Sequence, residues 1–285
     1  MTTSIPSQVE GTPANHAIDK DTRLCMSLAA RPGNFGTRFH NFLYRELDIN
    51  FVYKAFTTSD LKAAVGGVRA LEIRGCAVSM PFKEACIEFL DELDHSAAVI
   101  ESVNTIVNDS GRLTGYNTDY IAVSRLLERH EIPPQSVFAL RGSGGMAKAV
   151  AFALKGAGFR SGYIIARNET VGRTLAESCG YEWRPAMDSL QPAMLVNVTP
   201  IGMVGGAEAD DLAFDPETIE AAETIFDVVA RPPETPLIRH ARGRGKKVIT
   251  GAEVIAIQAL EQFVLYTGVR PSDDQVRRAS EFALL

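Results

Sequence analysis

No run of about 18 consecutive apolar residues occurs in this chain of 285 residues, so nothing in it reads as a membrane-spanning helix. The basic-then-apolar pattern of a secretory signal is also missing, which makes the cytoplasm the expected compartment and leaves the membrane without a role. There is no surplus of positive charge: the net charge is −6, so no general attraction to nucleic acid is expected. Cysteines are few and scattered. Cys25, Cys76, Cys86 and Cys179 form no C-x-x-C pair, which removes the usual signs of a disulfide framework or a zinc site and predicts reduced, mostly buried thiols. Internal repeats and low-complexity blocks are absent as well.

What is present is an ordinary globular composition, with 46% apolar and 22% charged residues, in a length that suits two domains of roughly 100–150 residues. Residues 1–20 are rich in Ser, Thr, Pro, Gly and polar side chains and are expected to be a flexible tail. From Asp21 onward short apolar runs alternate with stretches of helical periodicity, the pattern of an α/β protein with parallel sheet. Strands are predicted at Arg23–Leu28, Phe51–Phe56, Gly75–Val78, Ser102–Asn108, Ser136–Arg141, Gly162–Ala166, Met194–Asn197, Thr224–Val229 and Lys247–Thr250. That many strands suit two sheets. Helices are predicted at Gly36–Asp48, Lys83–Leu90, Asp119–His130, Ala147–Ala157, Val171–Cys179 and Ala252–Thr267. The expected organisation is a first α/β domain over 21–120, a Rossmann domain over 121–251, and a last segment, 252–285, returning to the first domain so that a cleft lies between the two.

The segment Val137-Phe-Ala-Leu-Arg-Gly142-Ser143-Gly144-Gly145-Met146-Ala147 reads as an apolar strand entering G-x-G-x-x-A and an alanine-rich helix. Gly142 permits the tight turn, Gly144 lets the backbone approach a pyrophosphate, and Ala147 is small enough for the helix to pack on the strand. The helix start then offers unpaired N–H groups and a positive dipole end to the phosphates. A glycine turn of purely structural use is the bland alternative. The next strand ends at Ala166-Arg167-Asn168, where an NAD-binding chain usually carries an acidic residue on the ribose; Arg167 instead favours the 2′-phosphate of NADP. Arg173 is either a second cation for that phosphate or a solvated helix-surface residue.

In the first domain two segments carry possible chemistry: Ser79-Met-Pro81-Phe-Lys83 after a strand, and Asn117-Thr118-Asp119 at a helix start. Oxidation of a secondary alcohol needs a group that takes the hydroxyl proton as hydride leaves the same carbon. A lysine of lowered pKa can do this, with an aspartate beside it to hold it and share the proton. Taken singly, each has a plainer reading, Lys83 as an exposed helix-start residue and Asp119 as a helix cap.

The order of these pieces resembles the shikimate dehydrogenase family. Pro81-Phe82-Lys83, Ser102-Val-Asn104-Thr105, Asn117-Thr118-Asp119, Gly142-Ser-Gly-Gly-Met-Ala, Asn197-Val-Thr199-Pro-Ile-Gly202-Met203, Thr235-Pro236-Leu237 and Gln258-Ala-Leu-Glu-Gln-Phe263 are all similar to that family's motifs, and the likeness runs from about Leu24 to the C-terminus. The resemblance implies reversible NADP-dependent reduction of 3-dehydroshikimate on a small-molecule site, with Lys83 and Asp119 as the catalytic pair. It further implies Asn104, Asp119 and Gln258 on the substrate's ring hydroxyls, Thr199 and Gly251 on the nicotinamide side, and no metal.

Four departures concern recognition. Where the family has Ser-x-Ser-Pro before a His-Asn pair, this chain has Ser27-Leu-Ala-Ala-Arg-Pro-Gly-Asn34-Phe-Gly-Thr37-Arg-Phe-His40-Asn41, so Ser27, Asn34 or Thr37 is left to replace the two serines, with Arg31 or Arg38 as charge-assisted alternatives. The family's Asn-Val-Thr is Ala77-Val78-Ser79, its tyrosine after the late strand falls at Ala230, and its Asn-Arg-Thr is Ala166-Arg167-Asn168. These changes point to a divergent, shikimate dehydrogenase-like branch acting on shikimate or on a relative such as quinate or an amino-substituted analogue. A methylenetetrahydrofolate-dehydrogenase-like enzyme has a similar layout but lacks the paired Pro-Phe-Lys and Asn-Thr-Asp motifs. A nucleotide-binding regulator without turnover would have no use for both Lys83 and Asp119.

Overall fold

The computed structural model describes residues 18–285 and contains two six-stranded sheets. Residues 1–17, most of the expected tail, lie outside the described residues. The first sheet collects β1 (Arg23–Leu28), β2 (Phe51–Phe56), β3 (Gly75–Val78), β4 (Glu92–Leu93), β5 (Thr105–Asp109) and β6 (Arg112–Tyr116), with α1 (Phe35–Glu46), α2 (Leu61–Ala70), α3 (Phe82–Ala85) and α4 (His95–Ala98) between them. After α5 (Thr118–Arg129) the second sheet is built from β7 (Phe138–Arg141), β8 (Gly162–Ile165), β9 (Glu182–Arg184), β10 (Met194–Asn197), β11 (Thr224–Asp227) and β12 (Lys247–Thr250). Its helices are α6 (Gly145–Gly156), α7 (Glu169–Cys179), α8 (Pro216–Ala221) and α9 (Pro236–Gly243); α10 (Gly251–Thr267) and α11 (Asp273–Leu284) close the chain.

The second sheet is parallel throughout, in the order β12-β11-β10-β7-β8-β9. Its interior strands β10 and β11 are buried at every residue, as a sheet covered by helices on both faces requires. The first sheet, in the order β2-β1-β3-β5-β6-β4, is mixed: β1 pairs in parallel with β2 and β3, while β5 runs antiparallel to both β3 and β6. Of the second half of that sheet β5 was predicted, while β6 and β4 were not. The β5–β6 connection is the two-residue turn Ser110-Gly111, both at positive φ (52° and 90°), a hairpin geometry that glycine at the second position eases.

Other differences have local causes. The predicted strand from Ser102 starts only at Thr105; before it Ser102 and Asn104 are buried polar residues and Val103 lies in the apolar core. The helix expected over Lys83–Leu90 is one turn, Phe82–Ala85, followed by a 3-10 turn at Ile87–Phe89. Helix α2 was hidden by Gly66-Gly67, which lower helix propensity, whereas α11 announces itself with a Ser272/Gln275 capping box that the periodicity argument passed over. Among the described residues, no helix is long and apolar enough to cross a membrane. All four cysteines are buried.

α10 leaves β12 and packs on α5 and the first sheet. Its Ala259, Phe263 and Tyr266 join Phe39, Leu43 and Tyr44 of α1 and Ala279 and Ala283 of α11 in one core. Each buried aromatic there contributes roughly 2–3 kcal/mol through area removed from water. Within this core His40 is fully buried, stacked on Tyr53 at 4.5 Å with neither ring nitrogen partnered. Burial pushes the imidazole down to about 3, with Gln262 acting weakly the other way. Since the unfolded chain takes up the proton near 6.5, the neutral ring's contribution is complete above that pH and is lost as pH falls towards 3. Wild-type protein is expected to lose about 1.4 kcal/mol per pH unit below about 6.5 relative to His40→Phe. Urea unfolding of both proteins from pH 7 to pH 4 measures this; parallel pH profiles would show that His40 is not the acid-sensitive group.

Candidate active site

Buried polar groups, which must find partners inside the protein, assemble the first part of the site. Asn104 precedes β5 and is buried; its Oδ1 accepts from Thr118 N at 2.8 Å, Thr105 Oγ1 at 2.8 Å and Thr118 Oγ1 at 3.0 Å. These bonds fasten the start of α5 to the sheet, and Asn117 caps the helix by accepting from Tyr120 N. Asp119, in the first turn of α5, is thereby aimed at Lys83 on α3, whose Nζ lies 2.7 Å from Asp119 Oδ2. The two side chains are 26% and 16% exposed, enough to reach a ligand and too little for free solvation.

Both residues line a cavity of about 300 Å³ on the first sheet, together with Ser27, Ser79, Asn104 and Gln258. Gln258 Nε2 donates to Thr118 Oγ1 at 3.3 Å. Two further residues of this wall, Tyr53 and Gln262, were not found from the sequence. Gln262 follows Gln258 by one helical turn, a spacing that places both on one face of α10, and donates to Thr105 Oγ1 at 2.9 Å. Tyr53 had no sequence signal, since its place depends on how β1 pairs with β2.

Not every candidate arrives here. Helix α1 presents Phe35 and Gly36 to the cavity, and the 100° step of the helix turns Thr37 away, with its hydroxyl buried and unpartnered. Asn34 is the exposed N-cap of α1, makes no side-chain cap bond and does not line the cavity. Of the two arginines considered, Arg31 lines it and Arg38 does not.

The second cavity, about 660 Å³, opens at the ends of β7, β8 and β10 and is lined by Gly142, Ser143, Gly144, Arg167, Asn168 and Thr199 among others. Gly142 has φ +125°, and a Cβ there would come within 2.8 Å of Val198, so the turn itself demands glycine. At Gly144 and Gly145 a Cβ would meet nothing within 4 Å. Protein packing therefore does not require those two glycines, and their bare, open face at the start of α6 fits a pyrophosphate. Gly145, Met146 and Ala147 do not line the cavity; Ala147 is buried against the sheet, and Met146 packs on the same core. Asn168 caps α7 by accepting from Val171 N at 3.1 Å. Arg167 is exposed and has no ion pair among the described residues. Arg173 is otherwise occupied, paired with Glu169 at 2.7 Å and lying over the Trp183 ring. Arg141, missed in the sequence, lines the cavity and donates to the Ala213 carbonyl.

Thr199 is held by a chain of buried bonds. Asn197 Oδ1 accepts from Thr199 N and Oγ1 at 3.0 and 2.6 Å, while Asn197 Nδ2 donates to Asp227 Oδ1 at 3.0 Å. Thr235 Oγ1 donates to Asp227 Oδ2 at 2.6 Å, and burial raises that carboxyl to about 6 despite these donors. One ion pair joins the two halves near these cavities: Glu84, next to Lys83, pairs at 2.8 Å with Lys148, one turn into the helix that begins at the glycine loop. A larger groove of about 750 Å³ runs along α5, α10 and α11, but Lys83, Asp119 and the glycine loop lie outside it.

A parallel sheet with a glycine loop, joined to a mixed sheet that carries a lysine–aspartate pair, defines an α/β protein of the Rossmann class. The family model of the shikimate dehydrogenase substrate binding domain matches residues 35–106. The shikimate dehydrogenase-like protein of Haemophilus influenzae is 57% identical over 93% of this chain and 98% of its own length. A solved shikimate 5-dehydrogenase-like protein superposes with TM-score 0.93 at 56% identity, covering 94% of this chain and all of that one. The shikimate 5-dehydrogenase of Thermus thermophilus, solved with NADP(H) and shikimate, superposes with TM-score 0.82 at 29% identity over 92% of this chain and 99% of its own. The chain belongs to the shikimate dehydrogenase family.

Gly251 lines neither cavity. As the first residue of α10 it lies against the end of β11, and a Cβ on it would fall 2.3 Å from the Val229 carbonyl carbon. Because that neighbour is backbone, Gly251→Ala is expected to cost roughly 1–3 kcal/mol of stability. Thermal unfolding of the variant tests this, and an unchanged Tm would show that the β11–α10 contact is loose.

Proposed function

We propose that the protein is an NADP-dependent oxidoreductase that interconverts a ring secondary alcohol and its ketone, with shikimate and 3-dehydroshikimate as the first substrates to test. The observation that carries this reading is the Lys83–Asp119 pair, 2.7 Å apart, on the wall of a cavity in a chain that also carries an open glycine loop. The solved Thermus relative, with both NADP(H) and shikimate, supports the same choice. In this reading residues 21–120 and 252–285 bind the substrate, and residues 121–251 bind the dinucleotide.

When bound, the nicotinamide dinucleotide supplies the hydride acceptor or donor. The protein's part is to hold the reacting carbon and manage the proton. In the oxidative direction the hydroxyl proton passes to Lys83 as the C–H bond breaks, and Asp119 holds the resulting ammonium in place. In reduction Lys83 gives a proton to the carbonyl oxygen while hydride adds to the carbon. Asn104 has its Oδ1 fully engaged by protein donors, which leaves Nδ2 for a substrate hydroxyl; Gln258 and Ser79 line the same wall. On the cofactor side Gly142, Ser143 and Gly144 would hold the pyrophosphate, Arg167 the 2′-phosphate, and Thr199, fixed by Asn197, the nicotinamide end.

With saturating NADP and shikimate, Lys83→Ala is expected to lower kcat by roughly 10²–10⁴-fold, the range for general acid–base groups, with little change in NADP affinity. Absorbance of NADPH follows this directly, and wild-type turnover in the variant excludes Lys83 from proton transfer. Arg167→Ala is expected to weaken NADP by roughly 10-fold or more and leave NAD nearly unchanged, as loss of a charge-assisted phosphate contact requires. Equal losses for both dinucleotides, measured by calorimetry, would place Arg167 away from the 2′-phosphate.

A further inference from the structure

β10 and β11 end side by side on two polar residues that the Lys83–Asp119 pair does not use. Asn197 and Asp227 are the last residues of these strands, pair in register and are fully buried. A carboxyl group in such a place is costly unless its hydrogen bonds are made, and here they are made in one direction only.

The carboxylate of Asp227 accepts from Asn197 Nδ2 at 3.0 Å, Val229 N at 3.1 Å and Thr235 Oγ1 at 2.6 Å. All three contacts are donors, so the ionised form fits and an added proton would stand against a donor. Asn197 turns its Nδ2 to that charge and to the Ile201 carbonyl at 3.2 Å, which sends its Oδ1 the other way. There Oδ1 accepts from Thr199 N at 3.0 Å and Thr199 Oγ1 at 2.6 Å. A reversed carboxamide would set its NH2 against both Thr199 donors. The charge on Asp227 opposes that reversal, and Thr199 stands on the wall of the dinucleotide cavity.

Burial raises the Asp227 carboxyl to about 6, with Thr235, the Val229 N–H and Asn197 acting the other way. No Lys, Arg or His side chain among the described residues bonds to it. The charged groups of the surrounding elements are engaged elsewhere: Lys247 of β12 donates to the His130 carbonyl, Arg239 donates to the Glu234 carbonyl and Arg242 pairs with Glu234. Glu253 of α10 takes Thr250 and His130, and Arg141 of β7 donates to the Ala213 carbonyl. His240 of α9 keeps its Nε2 buried and unpartnered. The charge at this point of the sheet is Asp227's own.

We propose that Asp227 is a positioning residue for the dinucleotide, whose negative charge sets the direction of the Asn197 carboxamide and through it the place of Thr199. The nicotinamide end is then held only while Asp227 is ionised. The proposal rests on the oxidoreductase reading for the identity of the ligand and involves neither Lys83 nor the substrate wall.

The test compares two probes by calorimetry on the full chain from pH 8 to pH 5: NADP, and 2′-phospho-ADP-ribose, the same molecule without its nicotinamide ring. Both carry the 2′-phosphate, which itself titrates at about 6, so the ratio of their dissociation constants isolates the nicotinamide end. The wild-type protein is expected to favour NADP roughly 10-fold at pH 8, within reach of a hydrogen-bond chain anchored on a charge, and to lose that preference as pH falls through about 6. Asp227→Asn should show no preference at any pH. Thr235→Val removes one donor from the ionised form, so the loss should move up by about one pH unit. The same change removes the α9 cap, but a purely structural defect would lower affinity without moving that midpoint, so this variant carries the test even if Asp227→Asn does not fold. A wild-type ratio flat in pH, an Asp227→Asn protein that keeps the preference, or an unmoved midpoint in Thr235→Val overturns the proposal. If the ratio follows the expected pattern in a protein that turns over no ring alcohol, the positioning role stands and the oxidoreductase reading falls; turnover with a flat ratio does the reverse.

Discussion

The satisfaction of one buried carboxamide sets the geometry on which the site depends. Asn104 Oδ1 receives three donors, two of them from Thr118, and a buried acceptor so engaged cannot shift without leaving donors unpaired. Because Thr118 opens α5, these bonds fix where the helix starts and therefore where Asp119 points. Gln262 extends the network from α10 to Thr105 and to the Asn104 carbonyl, so the helix that returns from the second sheet is tied to the same node. The position of Lys83 is set from the other side, with its backbone carbonyl accepting from Val103 N at 2.8 Å, one residue before Asn104. The lysine and aspartate meet because both are attached to one short stretch of chain.

The nucleotide side is built by a different kind of constraint, the approach of backbone to backbone. Gly142 and Gly251 are glycines because Val198, Val228 and Val229 already fill the space a Cβ needs, while Gly144 and Gly145 border open space. The buried chain from Asp227 through Asn197 to Thr199 carries order from the sheet's interior to its rim. Such networks hold a loop residue with the precision of the sheet that supports it.

Much of this was legible in the sequence where a signal was local. The glycine loop, the strands of the parallel sheet other than the three-residue edge strand β9, and the Lys83 and Asp119 segments each carry their pattern within a dozen residues. Strands β6 and β4 of the first sheet were missed because the Ser110-Gly111 turn was not weighed as a hairpin signal and β4 is only two residues long. Asn34 and Thr37 were reasonable polar candidates, but helix phase decides which residues of α1 face the cavity, and the first turn of α1 faces it through Phe35 and Gly36 instead. Tyr53 and Arg141 were invisible for a related reason. Their roles arise from which strand lies beside which, and no spacing within a single segment records that.

The central claim is that one substrate oxygen meets both Lys83 and Asp119. A crystal structure of the protein with NADP and shikimate measures it most directly. The account predicts the oxygen that becomes the ketone within hydrogen-bond distance of Lys83 Nζ and Asp119. A substrate bound with that oxygen away from both residues would contradict it.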